Sequence, residues 1–135
     1  MTNATLTGAK LDGANLTGAM LAGSKLDGAS LIKATLDKAN LARADLAESD
    51  LTGATLRDTN LAGAVLFATV LSGAYLSRTM FAGAELFQTN FTGATFYVPD
   101  LTKTNLSAVT GLTCAQVRDS RRDDKTVLPP DLRCN

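Results

Sequence analysis

One position in every five of this chain is reserved for a large apolar side chain. Stepping by five from Leu6 to Leu106, every position is Leu except Phe81, Phe91 and Phe96, and no insertion breaks the phase. Two residues before each stands a small one: Ala at 13 of the 21 sites, Thr at five, Ser24, Ser49 and Pro99. The unit reads small-x-Leu-x-x. Such a period excludes an α-helix, because five residues at ~100° each carry successive Leu residues around by about 140° and leave no common face. It equally excludes a flat strand, whose alternation would send consecutive Leu residues to opposite sides. Within one repeat, however, the small residue and the Leu are two apart, as two inward positions of an extended segment should be. The remaining gap of three must hold a bend. Bending the same way each time, the chain coils around its own Leu and Ala, with successive coils bonded like parallel strands ~4.8 Å apart.

The position after each Leu sets the number of sides. Ala22, Ala42, Ala62 and Ala82 occupy it at a spacing of 20, and within the array that position is otherwise Ala only at Ala47. Phe67 and Phe87 are also 20 apart. Four pentapeptides therefore make one coil. From residue 53 a second alternation runs with period ten: Gly53, Gly63, Gly73, Gly83 and Gly93 interleave with Asp58, Ala68, Arg78, Gln88 and Val98. Because Gly accepts φ > 0, two opposite corners are expected to use a type II turn and the other two a different bend. Each buried Leu or Phe contributes roughly 1.5–3 kcal/mol relative to exposure, so the column folds the chain without cofactor or metal. The Phe residues at 81, 91 and 96 imply a wider or less regular end of the core. Pro99, with no N–H to donate, marks an edge or a distorted corner.

Stretches such as Ala14-Asn15-Leu16, Ala39-Asn40-Leu41 and Ala44-Asp45-Leu46 resemble the Ala-Asp/Asn-Leu-x-x consensus of the pentapeptide-repeat family. The resemblance covers residues 4–106 and implies an all-β solenoid, a right-handed quadrilateral parallel β-helix. At this length the helix has about five coils of four pentapeptides. Asp or Asn precedes the Leu in only eight repeats, at 15, 40, 45, 50, 60, 90, 100 and 105, which leaves the inward positions to carry the fold. The chain is thereby divided into residues 1–106, the β-helix, and 107–135, a C-terminal helical cap on the last coil.

A solenoid must close its ends, and residues 107–135 leave the period in a way suited to that. Thr113-Cys114-Ala115-Gln116 is a capping box with Thr113 as N-cap, flanked by Leu112 and Val117 as a hydrophobic staple. A short helix over about 114–122 follows, and Val127, Leu128 and Leu132 around Pro129-Pro130 form an apolar lid. The run Leu112-Thr113-x-x-Gln116 with Thr126-x-Leu128-Pro129-x-x-Leu132 resembles C-terminal segments of cyanobacterial members of the family. Both cysteines, Cys114 and Cys134, fall here. Two Cys without a His are too few for a zinc site. A disulfide bracketing the helix is the reading adopted, with two free thiols as the alternative. The bonded form implies periplasm or thylakoid lumen and a mature chain without signal peptide, the reduced form cytoplasm.

Little chemistry is offered. With no His in the chain, Ser and Thr have no conventional base. The densest acidic stretch, Asp45, Glu48, Asp50 and Asp58, falls at outward, solvated positions and not in a cleft. Arg118, Arg121 and Arg122 are offset by Asp119, Asp123 and Asp124 and read as a solvated helix face. The sequons at Asn3, Asn15, Asn90 and Asn105 follow from the consensus itself. Thirteen basic and thirteen acidic residues balance, so no field draws the chain to nucleic acid or an anionic membrane. No apolar run is long enough to span a bilayer. The expectation is a non-catalytic structural or protein-interaction module, monomer or weak homodimer, with no catalytic residues and no cofactor, whose partner is another protein. Two surfaces are candidates. One is the smooth wall of Ala22, Ala42, Ala62 and Ala82, with Met20, Asn40, Asn60 and Met80 beside it. The other is a group of outward apolar side chains, Val65, Phe67, Val70, Tyr75, Phe87 and Tyr97, which mark a contact surface or else stack between coils to stabilise the sheet. An alternative borrows from family members that resemble duplex DNA and bind type II topoisomerases. Such mimicry needs a strongly negative surface, whereas residues 1–106 carry nine acidic and eight basic side chains, a net of −1.

Overall fold

The computed structural model describes residues 1–134. The chain winds as a right-handed four-sided parallel β-helix with a short α-helix near its C-terminal end, the hand that right-twisted parallel strands favour. We designate the faces by their inward column. Face I carries Leu6 through Leu106, face II Leu11 through Phe91, face III Leu16 through Phe96, and face IV Leu21 through Leu101. As far as Met80, the residue before each inward Leu or Phe bridges to its equivalent 20 residues on, as in Thr5↔Lys25↔Asp45↔Val65↔Glu85 on face I, where the ladder stops because Glu85 forms no bridge to Asn105. A typical rung shows why the period must be kept. The Leu46 amide donates to the Val65 carbonyl at 2.8 Å, and the Val65 amide donates back to the Ala44 carbonyl at 2.9 Å. One inserted residue would break both bonds. Three consecutive residues pair on face III, where β1 (Tyr75–Ser77) lies parallel to β2 (Thr95–Tyr97).

All four corners turn the same way, contrary to the alternation expected from the glycines. The second residue after each Leu has φ between 46° and 69° at every corner from Asn3 to Lys103, and eleven of these residues are not Gly. The reason is the hydrogen bonding. At the 66–69 corner the Thr69 amide donates to the Leu66 carbonyl at 3.1 Å, while the Ala68 amide donates to the Phe87 carbonyl of the next coil at 3.0 Å. A corner that serves its own turn and the ladder together needs the left-handed region. A non-Gly residue there costs roughly 1–2 kcal/mol, of the same order as two net hydrogen bonds at about 1 kcal/mol each. Gly at alternate corners reduces strain and does not change the turn.

All eight Asp and Asn residues preceding an inward Leu or Phe have a local structural role as well. Each accepts a bond from the amide two residues on, as in Asn40 to Ala42 and Asp45 to Ala47 at 3.1 and 3.0 Å. This Asx bond tethers the entrance of the corner. The inward column is fully buried from Leu21 to Phe91, and Phe81, Phe91 and Phe96 meet edge to face at centroid distances of 6.0 and 5.3 Å. Four of the five inward Thr residues are satisfied across coils, and Thr104 by the Leu101 carbonyl of its own corner. Thr59, Thr69, Thr79 and Thr89 donate their hydroxyls to the carbonyls of Leu36, Leu46, Leu56 and Leu66 at 2.7–2.8 Å. Pro99 is buried at an inward position, after Val98 held at φ 46°. Lacking an N–H, it leaves its corner without the turn bond.

The tail leaves the sequence period but keeps adding rungs, through the bridges Asn90↔Thr110, Asp100↔Arg121 and Asn105↔Val127. Between the first two, α1 (Cys114–Arg118) takes the place of a strand on face III. Its capping box is formed, with the Gln116 amide donating to Thr113 and the Gln116 carboxamide oxygen accepting from the Thr113 amide. The same carboxamide donates to the Phe91 and Ala94 carbonyls at 3.2 and 2.9 Å, fastening the helix to the coil below. The helix is shorter than the 114–122 expected, because the Arg121 amide is recruited by the Pro99 carbonyl at 2.8 Å and must be extended. Val127 likewise is no part of the lid. It bridges Asn105 and points outward, and Leu128 and Leu132 pack against the core without it.

Candidate functional site

Face I changes character along the helix. Its outward column after the Leu runs Thr7, Asp27, Ala47, Phe67, Phe87 and Ser107, polar first and then aromatic. The parallel ladder superimposes residues 20 apart, so the two Phe rings stack with centroids 5.8 Å apart and planes 6° from parallel. Stacking does not hide them: Phe67 stays 39% and Phe87 55% exposed. Val65 lies half-buried on the same face. Beyond Phe87 the column drops to Ser107, whose amide is bonded by Asn105 at 3.0 Å. Glu85 and Asn105 are not bridged, and at that gap lies a groove of about 400 Å³, lined by Phe87 with Gly83, Glu85, Leu86, Lys103, Asn105 and Ser107. An aromatic step beside a notch, with one charge of each sign at its rim, is suited to holding an apolar side chain.

The other outward apolar residues do not join it. Val70 lies half-buried on face II, and Tyr75 and Tyr97 are exposed on face III. There the Arg57 guanidinium sits 5.8 Å over the Tyr75 ring while pairing with Asp37 at 3.4 Å. Also on that face Asp58 accepts from Arg78 at 2.7 and 2.8 Å. That bond holds the Asp58 carboxyl below the usual range and raises the Arg78 guanidinium, with Lys38 adding to the pull on Asp58. Ala22, Ala42, Ala62 and Ala82 line face IV, all half-buried, where Asn40 and Asn60 are turned onto the Ala42 and Ala62 amides. Met20 and Met80 are exposed at either end of this wall.

A second assembly lies at the capped end. Cys114 and Cys134 are bonded, with their Cα atoms 5.3 Å apart. The bond sits in a groove of about 370 Å³ with Val117, Arg118, Arg122 and Arg133. Read along the chain, Arg118, Arg121 and Arg122 were one basic run. The fold removes Arg121 to the ladder and brings in Arg133 through its neighbour Cys134. Only the expected cysteine pairing signalled that grouping. Among the described residues no three Cys, Asp or Glu side chains converge to hold a metal ion.

A family model described as pentapeptide repeats matches in eight copies, across residues 1–37, 24–63, 59–97 and 69–107. Among solved structures, a pentapeptide repeat protein of the Arabidopsis thaliana thylakoid lumen is 28% identical with a TM-score of 0.69. The alignment covers 70% of this chain and 66% of that one. HetL, a pentapeptide repeat protein involved in heterocyst differentiation regulation in the cyanobacterium Nostoc, is 26% identical with a TM-score of 0.54. There the coverage is 94% and 67%. A further pentapeptide repeat protein from Nostoc is 26% identical with a TM-score of 0.56, covering 88% and 84%. The chain thus spans about two thirds of the length of the first two. No curated protein matches it.

Proposed function

This chain belongs to the pentapeptide-repeat family, and we propose that it is a non-catalytic protein-interaction module that offers face I to another protein. One observation carries this reading. Phe67 and Phe87 gain each other's contact yet remain 39% and 55% exposed, and Phe87 borders a groove open to solvent. Two rings needed only for coil-to-coil stacking have no use for that notch. Aromatic anchors beside a pocket are the arrangement that concentrates binding energy at protein interfaces. Glu85 and Lys103 at the rim give the groove no net charge, so the complementary element is an apolar side chain with polar groups around it. The wall of Ala22, Ala42, Ala62 and Ala82 is flat and presents little side-chain area to grip. The Cys114–Cys134 bond, and likeness to a thylakoid lumen protein, support an oxidising compartment as the place of work.

The experiment compares proteins retained by the immobilised chain with those retained by a Phe67→Ser, Phe87→Ser variant and by a Tyr75→Ser, Tyr97→Ser variant altered on face III. The face I variant loses the retained partner and the face III variant keeps it, with both melting as cooperatively as the parent. An identical retained set on the face I variant refutes the assignment.

A further inference from the structure

The disulfide groove has a composition that closing the solenoid does not explain. Val117, fully buried, lies beside Cys114 and Cys134, both partly accessible, and three exposed guanidinium-bearing side chains complete the lining: Arg118, Arg122 and Arg133. They arrive from the last turn of α1, from the segment after the Arg121 rung, and from the residue preceding Cys134. Among the described residues none of their acidic neighbours in sequence forms an ion pair with them or lines the groove. Asp123 is turned onto the Lys103 and Lys125 amides at 3.0 and 3.1 Å and onto the Thr126 hydroxyl. Asp119, Asp124 and Asp131 are exposed. The ion pairs among the described residues, Asp37–Arg57 and Asp58–Arg78, are both on face III. The groove is therefore cationic immediately around a sulfur–sulfur bond.

We propose that this groove is a thiol–disulfide exchange site that takes an anionic dithiol reductant. The chemistry asks for cations in two places. The attacking species is a thiolate, which Arg118, Arg122 and Arg133 concentrate at the bond. In the substitution, negative charge spreads onto the departing sulfur, and a departing thiolate of lowered pKa leaves faster. The reductant's first thiolate attacks one cysteine sulfur and forms a mixed disulfide, while the S–S electron pair leaves on the other cysteine as thiolate. The reductant's second thiolate then displaces the first cysteine. Both cysteines, after protonation, end as thiols, and the reductant as its own disulfide. Opening the bond releases the chain end from α1 and leaves Leu128 and Leu132 to hold the tail on the core.

The test uses the oxidised full chain and three small thiols of similar size: 2-mercaptoethanesulfonate, 2-mercaptoethanol and cysteamine. Reduction is followed by mass after alkylation, and each rate is normalised to that thiol's thiolate fraction. At low ionic strength the sulfonate thiol reacts about tenfold faster than cysteamine, the scale of a partly screened attraction to neighbouring charges. The ratio falls to about two in roughly 0.5 M salt, where screening acts within a few ångströms. It falls equally in the Arg118→Gln, Arg122→Gln, Arg133→Gln variant, whose replaced side chains are exposed and whose array should stay folded by circular dichroism. The salt arm needs no substitution, so it stands if the variant misbehaves. Equal rates for the three thiols, a ratio unchanged by salt or in the variant, or a bond that resists all three thiols would each overturn the proposal.

Discussion

Gly73 and Gly111 have nearly the same backbone, φ 65° and 73°, but opposite surroundings, and so separate two reasons for glycine. A Cβ added at Gly73 meets nothing within 4 Å, whereas one added at Gly111 falls 2.6 Å from Thr92 Cα and closer still to the Thr92 amide nitrogen and hydroxyl. Gly73→Ala therefore incurs only the left-handed penalty of roughly 1–2 kcal/mol, partly offset by about 0.4–1 kcal/mol from the stiffer unfolded chain. The net loss is about 0.5–1 kcal/mol. Gly111→Ala bears the same strain and must also push the chain off Thr92. That displacement breaks the neighbouring rung, in which the Thr110 amide donates to Thr89 at 2.9 Å and the Phe91 amide to Thr110 at 2.8 Å. Two lost bonds at about 1 kcal/mol each bring the total to about 3 kcal/mol. For a domain of this size the melting point falls by about 3 °C at position 73 and about 10 °C at position 111. Urea unfolding followed by far-UV circular dichroism gives the global figure. Amide exchange shows whether α1 opens first in Gly111→Ala, since the displaced rung immediately precedes it. Equal losses for the two variants would refute the claim that close backbone approach sets the requirement at 111.

Two further outcomes rest on the ladder and on its charges. Thr79→Val keeps the shape of the buried side chain but removes the 2.7 Å bond to the Leu56 carbonyl, and should cost about 1 kcal/mol in urea unfolding; an unchanged midpoint would mean that the cross-coil hydroxyl bonds add nothing. Asp58 should titrate below ordinary aspartate by carboxyl NMR and return toward it in Arg78→Gln, because the Arg78 hydrogen bond is the main cause of its lowered value. A carboxyl depressed in the folded state stabilises above the unfolded pKa, and that contribution disappears as pH falls through the folded value. Arg78→Gln should therefore reduce the dependence of stability on pH in the acid range, and an unmoved Asp58 midpoint would show that the pair does not persist in solution.

The solenoid, its inward column, its four sides and the capping box at Thr113 are legible in residue order alone. They follow from side-chain identity at fixed short spacings, repeated without interruption. Phe67 and Phe87 could be placed one above the other for the same reason. Features that depend on bonds between coils emerge only in the fold. Ladder bonds force every corner into one turn, so Val98 and Arg78 occupy the region that Gly73 occupies freely, and the glycine alternation proves to be a matter of strain. The coil beneath takes Arg121 as a strand, which ends α1 four residues early, and takes Val127 out of the lid. The period of 20 divides the outward apolar residues among faces, but it does not show that Phe87 borders a groove or that Tyr75 is engaged by Arg57. Arg118, Arg122 and Arg133 meet because the segment around Cys134 is folded back against α1, packed by Leu132 and bonded at Cys114. Positions five apart are governed by local stereochemistry that a sequence displays, while the end of the solenoid is shaped by whichever backbone groups the last coil leaves to be satisfied.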